Sequence, residues 1–131
     1  MEPETIEEIL ASARATIDRL TPEEAAVEVA GGALLIDTRD SVIRAAEGEL
    51  PDAIAVPLSV LYWRLDPSSP FHDPVLARRE RRVIVVCAHG YSSSLAAATL
   101  RRLGFERATD VIGGFEGWKR AGLRVELPQA G

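Results

Sequence analysis

The chain has 131 residues, 47% of them hydrophobic and 27% charged, with 15 basic and 20 acidic side chains that leave a formal net charge of −5. This length suits one domain around one core, and the hydrophobic share excludes a chain disordered by composition. The acidic balance, with no basic face, argues against nucleic acid and anionic membrane surfaces as partners, and the longest apolar runs, such as Val83 to Ala88, are far short of a membrane span. The lone cysteine, Cys87, cannot close an internal disulfide, and the acidic start Met1-Glu2-Pro3-Glu4 lacks the features of a secretory signal, so the cytoplasm is the expected compartment.

Apolar residues at Ile6, Ile9, Leu10, Ala13 and Ile17 recur at helical spacing behind acidic residues, which predicts an amphipathic helix within an extension over residues 1–20. Such a helix either covers the sheet or forms a contact between copies. Thr21-Pro22-Glu23-Glu24 supplies an N-cap, a proline suited to the first helical position and a capping-box glutamate, predicting a second helix that stops at Gly31-Gly32. Leu34-Leu35-Ile36 reads as a strand covered on both faces, and Ala53 to Val56 as a short strand between prolines, with a helix from Ser59 through Leu65.

The stretch from Asp66 to Pro74 is rich in turn residues and is expected as an exposed loop, and the basic run Arg78-Arg79-Glu80-Arg81-Arg82 as a solvated helix end. Val83-Ile84-Val85-Val86 is β-branched and uniformly apolar, as a central parallel strand requires, and it ends at Cys87. A loop from Ala88 then feeds a helix that runs through Leu103 and stops at Gly104. Val111-Ile112 reads as a short strand, Gly113-Gly114 as a turn and Phe115 to Ala121 as the last helix. Strands alternating with helices predict an α/β fold with a mostly parallel sheet, in one domain over residues 21–131.

Ligands of open α/β sheets bind outside the carboxyl ends of the strands, where a loop running into a helix aims several N–H groups at one point. Cys87 stands at such a position, and N–H groups curled over its sulfur would stabilise a thiolate, a persulfide anion or a bound oxyanion. Gly90 permits the turn, while Ser92, Ser93 and Ser94 offer hydroxyls as donors or as helix caps. The competing reading of Cys87 is a buried structural thiol. His89 reads as a solvent-exposed loop residue, with replacement of a missing charge as its alternative, and Tyr91 as pocket rim or packing. His72 has no cysteine and only Asp73 nearby, so no metal site is expected.

Four stretches in this order resemble the motifs of rhodanese domains: Leu34 to Arg39, Gly48 to Ala53 with Val56-Pro57, Val83 to Cys87 with its loop, and Gly113-Gly114-Phe115-Glu116-Gly117-Trp118. The resemblance runs from about Thr21 to Val125. It implies the rhodanese-like fold, a five-stranded mostly parallel sheet flanked by helices, to which the N-terminal helix is an addition. It also implies a sulfurtransferase in which Cys87 takes a sulfane sulfur from thiosulfate or a persulfide and passes it on, with no cofactor. In that reading Ala88, His89, Gly90, Tyr91, Ser92 and Ser93 line the substrate, Asp37 and Arg39 support the loop from beneath, and Trp118 packs in the core. Arg39 as a source of positive charge for the loop is the alternative at that position. With no second cysteine the acceptor is external: a small thiol, cyanide or a thioredoxin-like protein.

Two departures from the family pattern stand out. Ser92 occupies the position where the loop commonly has arginine, so one neutral donor replaces a guanidinium able to make two charged hydrogen bonds. Glu49-Leu50-Pro51-Asp52 stands where histidine, a branched residue, proline and glycine are usual. The first departure keeps open a second function, a binding or persulfide-sensing module with weak catalysis. No residue from Ala88 to Ala98 is arginine, which argues against phosphatase or arsenate reductase chemistry.

Overall fold

A computed structural model of the chain describes residues 2–127, so Met1 and residues 128–131 of the expected domain lie outside the described residues. The capping box predicted at Thr21 is present and opens α2 (Pro22–Ala30); a second, at Thr5, opens α1 (Ile6–Arg14). In each, the threonine hydroxyl accepts the N–H of the glutamate three residues on, whose carboxylate accepts the cap N–H in return. A cap of this kind contributes about 1 kcal/mol.

The strands β1 (Leu34–Asp37), β2 (Ala53–Ala55), β3 (Val83–Val86) and β4 (Thr109–Asp110) form one parallel sheet in the order β2-β1-β3-β4. Between them run α3 (Ser41–Glu47), α4 (Leu61–Leu65) and α5 (Ser92–Arg102), and α6 (Gly114–Arg120) follows β4. Every residue of β1 and β3 is buried because helices cover both faces of the sheet. Leu34, Ile36, Val83 and Val85 join a core with Leu61, Leu65, Leu100 and Phe105. Their neighbours Leu35, Ile84 and Val86 join a second core with Leu20, Ala25, Phe115 and Trp118. This division follows the two-residue alternation of a strand, and each large apolar side chain so buried contributes about 1.5–3 kcal/mol.

Among the described residues the sheet has four strands, not the expected five. Beyond β4 the fifth position is reduced to one residue: the Leu20 N–H donates to Asp110 O at 3.1 Å, and its carbonyl accepts from the Ile112 N–H at 2.8 Å. Pro22 then opens α2 and ends the pairing. β4 lies earlier than the expected Val111-Ile112. Val111 is wholly buried and continues the pairing past β4, its N–H donating to Val85 O at 3.2 Å, while Ile112 is exposed. α4 begins at Leu61 rather than Ser59, β2 stops at Ala55, and the last helix begins at Gly114, shifts typical of short element ends.

Three further differences have local causes. α3 buries no residue, so hydrophobic spacing does not signal it; Asp40, whose carboxylate accepts the Ile43 N–H at 3.0 Å, and Gly48 mark its ends instead. The run Arg78 to Arg82 is turn, not a helix end. Arg82 donates to Glu28 at 2.8 Å and to Asp18 at 2.9 Å; burial disfavours its charge, but the two carboxylates more than offset this and raise its pKa above that of a free arginine. The N-terminal helix α1 packs on α5 rather than on the sheet itself, burying Leu10 and Ala13 while Ile6 and Ile9 stay exposed.

Candidate active site

β1 and β3 are central neighbours, and from them the chain continues outward to β2 on one side and β4 on the other. Their carboxyl ends therefore border the crevice where this topology places ligands. Thr38, just past β1, ties the two ends together: its N–H and its hydroxyl both donate to Val86 O, at 2.9 and 3.2 Å. Cys87 follows Val86 and is 6% exposed. A concavity of about 450 Å3, lined by Glu28, Gly32, Glu80 and Arg82 among others, lies at the amino ends of β1 and β3, away from the thiol.

After Cys87 the chain turns back over the sulfur. Gly90 takes φ +87°, a conformation that side chains disfavour, and its N–H donates to Cys87 Sγ at 3.1 Å. The carbonyls at the start of this loop face the other way: Cys87 O accepts the Phe115 N–H at 2.7 Å and Ala88 O the Glu116 N–H at 3.1 Å. The first turn of α6 thus consumes the acceptors and leaves donors on the sulfur side.

Burial pushes the Cys87 thiol pKa up, but hydrogen bonding from the Ser93 and Ser92 hydroxyls and from the Ser93 and Gly90 N–H groups more than offsets it, and the thiol lies below its ordinary range. Ser93 has one hydroxyl proton for two acceptors, the sulfur and the wholly buried Asp110 carboxylate at 2.8 Å. A group that ionises more readily folded than unfolded adds stability above its unfolded pKa, and this is lost as pH falls through the lower folded value. The stability of the protein relative to Cys87→Ser is therefore expected to rise with pH up to about 8.5, the ordinary thiol value. Urea unfolding of both proteins across that window checks it; a difference that is flat or falls with pH would contradict the assigned shift.

The structure sorts the predicted site residues. Gly90 and Ser92 meet the sulfur, Ala88 is half-buried beside it, and His89 is exposed. Tyr91 is 61% exposed and packs under the Arg14 guanidinium, 5.6 Å from its ring centre. α5 has no side-chain cap, so the serines do not serve as caps; Ser93 and Ser94 each donate to Asp110 Oδ2 at 2.8 Å. Arg39 pairs with Asp37 at 2.9 Å, donates to Gly48 O at 2.9 Å and lies 3.8 Å over the Phe115 ring. None of these partners belongs to the Cys87 loop; the pair reaches it only through Phe115, whose N–H holds Cys87 O.

Three residues at the site escape a reading of the sequence. Asp110 accepts both serine hydroxyls and the Arg19 guanidinium at 2.9 Å, and Arg14 and Arg19 both donate to Gly90 O. An acidic residue inside an apolar strand was the available signal for Asp110; nothing local marks the two arginines.

The family model of the rhodanese-like domain matches residues 21–121. The chain belongs to this family. A thiosulfate sulfurtransferase GlpE of Haemophilus influenzae is 32% identical over 107 residues, covering 82% of this chain and 92% of that protein. The corresponding protein of Actinobacillus succinogenes is 57% identical over 44 residues, so at that level the rhodanese-like chain spans only 40% of its relative's length and 34% of its own. Among solved structures, a Rhodopseudomonas palustris protein of unknown function, described as a possible tyrosine phosphatase, aligns with a TM-score of 0.85 at 28% identity over 96% of this chain and 100% of that one. A polysulfide-sulfur transferase homodimer of Wolinella succinogenes aligns with a TM-score of 0.71 at 25% identity, over 91% and 85% of the two chains. Among the described residues of this rhodanese-like protein, no helix is long and apolar enough to cross a membrane.

Proposed function

We propose that this rhodanese-like protein is a cytoplasmic sulfurtransferase whose nucleophile is Cys87. The observation that carries the reading is a buried thiol at the carboxyl end of the central strand, with the Gly90 N–H on its sulfur and its pKa below the ordinary thiol range. The Cys87 thiolate attacks the outer sulfur of thiosulfate, that S–S bond breaks with its electrons leaving on sulfite, and a Cys87 persulfide remains. An acceptor thiolate or cyanide then attacks the outer persulfide sulfur and releases the Cys87 thiolate, so no external oxidant or cofactor enters the cycle. A low-molecular-weight persulfide serves as donor in the same way, with a thiolate as leaving group.

The N–H groups of Ala88 to Ser93 and the Ser92 hydroxyl hold the anion, while Asp37 and Arg39 steady Phe115 and, through it, the Cys87 carbonyl. Residues 21–131 form the catalytic domain and residues 1–20 its extension. As Cys87 is the only cysteine, the acceptor is external: a small thiol, cyanide or a thioredoxin-like protein. Names of relatives, thiosulfate sulfurtransferase and polysulfide-sulfur transferase, support this reading. The phosphatase description of the Rhodopseudomonas protein does not carry over, because Ala88 to Ala98 offer no arginine to grip a phosphate.

The test is intact-protein mass spectrometry after incubation with thiosulfate or a small persulfide, then with a thiol or cyanide. The expected result is the gain of one sulfur at Cys87 and its loss to the acceptor. No gain with either donor would favour a module that binds or senses persulfides without turnover.

A further inference from the structure

We propose that Arg14 and Arg19, both ahead of the family-matched residues, are positioning residues of the Cys87 loop, fixing its donors on the sulfur by gripping the Gly90 carbonyl together. Arg14 Nη2 donates to Gly90 O at 2.8 Å and Arg19 Nη2 at 3.0 Å. A carbonyl oxygen has two lone pairs, and here both are taken by charged donors, which bind more strongly than neutral ones. The Gly90–Tyr91 peptide is trans, so the Tyr91 N–H points opposite to the held carbonyl, and it meets no backbone acceptor among the described residues. On the other side of Gly90, its own N–H reaches Cys87 Sγ. Pinning the carbonyl of Gly90 therefore fixes the backbone of this residue, and with it the direction of its own N–H on the sulfur, while two guanidinium charges stand beside the loop.

The same arginines anchor the far end of the loop. Arg14 Nε donates to Ser94 Oγ at 3.1 Å, and Arg19 pairs with Asp110, which receives the Ser93 and Ser94 hydroxyls. Residues 88–94 themselves contain neither arginine nor lysine, so the extension supplies the cations beside an otherwise neutral cradle. α1 buries only Leu10 and Ala13, which makes these polar contacts a large part of its attachment. Arg14 also lies over the Tyr91 ring.

This inference rests on Cys87 as the reacting thiol, and its test reads that thiol directly: the rate of alkylation by iodoacetamide against pH. Alkylation reports ionisation whether or not sulfur is transferred, so failure here is distinguishable from failure of sulfur loading. His89 and Tyr91 of the loop, Asp110 of β4, Glu116 of α6 and Arg39 beneath Phe115 also face this region, and their contributions are common to the protein and its variants. Arg14→Ala is expected to move the midpoint of the profile upward by about half a pH unit or more, leaving several-fold less thiolate at neutral pH. Arg102→Ala, on the exposed side of α5, is the control for loss of a charge alone. Arg19→Ala strips the buried Asp110 of its cation, so Arg14→Gln and Arg19→Gln, which keep a neutral donor, are read alongside with unfolding measured in parallel. An unchanged midpoint in folded Arg14 variants, or an equal shift in Arg102→Ala, would overturn the proposal.

Discussion

Cys87→Ser is expected to lower sulfur transfer by roughly a thousandfold or more while leaving the fold in place. The loss follows from chemistry: a hydroxyl does not ionise near neutral pH and forms no persulfide. Retention of the fold follows from geometry, because the backbone of Cys87 makes the structural contacts. Its carbonyl holds the Phe115 N–H, and a serine oxygen can accept the Gly90 N–H that the sulfur accepts now. The stability change at neutral pH should stay within about 1 kcal/mol, in the range of a conservative replacement. Steady-state transfer with thiosulfate and a thermal melt check both halves; substantial transfer by folded Cys87→Ser would remove Cys87 from the mechanism.

Gly114→Ala is expected to destabilise the protein by about 3 kcal/mol or more and to disturb the thiol, the largest structural effect predicted for one methyl group. A Cβ at Gly114 would lie 2.5 Å from Cys87 O, 2.8 Å from the Ala88 carbonyl carbon and 2.8 Å from Gly90 N, and φ there is +59°. All three neighbours are backbone, so no side chain can swing aside. Either α6 withdraws and loses its hydrogen bonds to Cys87 O and Ala88 O, or the loop shifts and the Gly90 N–H leaves the sulfur. Gly122→Ala is the contrast. Its φ is +78° but nothing lies within 4 Å of the added carbon, so only the backbone cost of about 1–2 kcal/mol applies. Chemical denaturation of both variants, with the alkylation rate of Cys87, separates the close approach from the unfavourable torsion; equal losses in the two would remove the clash from the account.

Much of this protein is written locally in its sequence. The four apolar residues of β3, the Thr21 capping box and the strand–loop–helix around Cys87 are readable because each depends on neighbours within a few positions: an unbroken β-branched apolar run, a cap three residues from its partner, a glycine at a tight turn. The ordered motifs from Leu34 to Trp118 extended that reading to the family and to the thiol. Elements whose signal is not hydrophobic were harder to see. α3 buries nothing, and the apolar pair Val111-Ile112 draws attention away from β4, which lies just ahead of it at the more polar Thr109–Asp110.

Only the tertiary structure decided what surrounds the sulfur. Arg14 and Arg19 reach Gly90 across 76 and 71 positions of chain, and Asp110 meets Ser93 from 17 away. No periodicity in sequence encodes such meetings; they arise because α1 packs on α5 and because β4 lies beside β3. The fifth strand shrank to Leu20 for a similar reason, since a helix cap at Thr21 and a proline at position 22 compete with the sheet for the same backbone, and the helix wins after one residue. The sequence by itself thus determined the α/β fold class, where local physics suffices, and its ordered motifs pointed to the family and to Cys87 as the candidate thiol. The charges that hold the loop were decided by packing, because a long arginine side chain finds its partner only after the helices that carry it have docked.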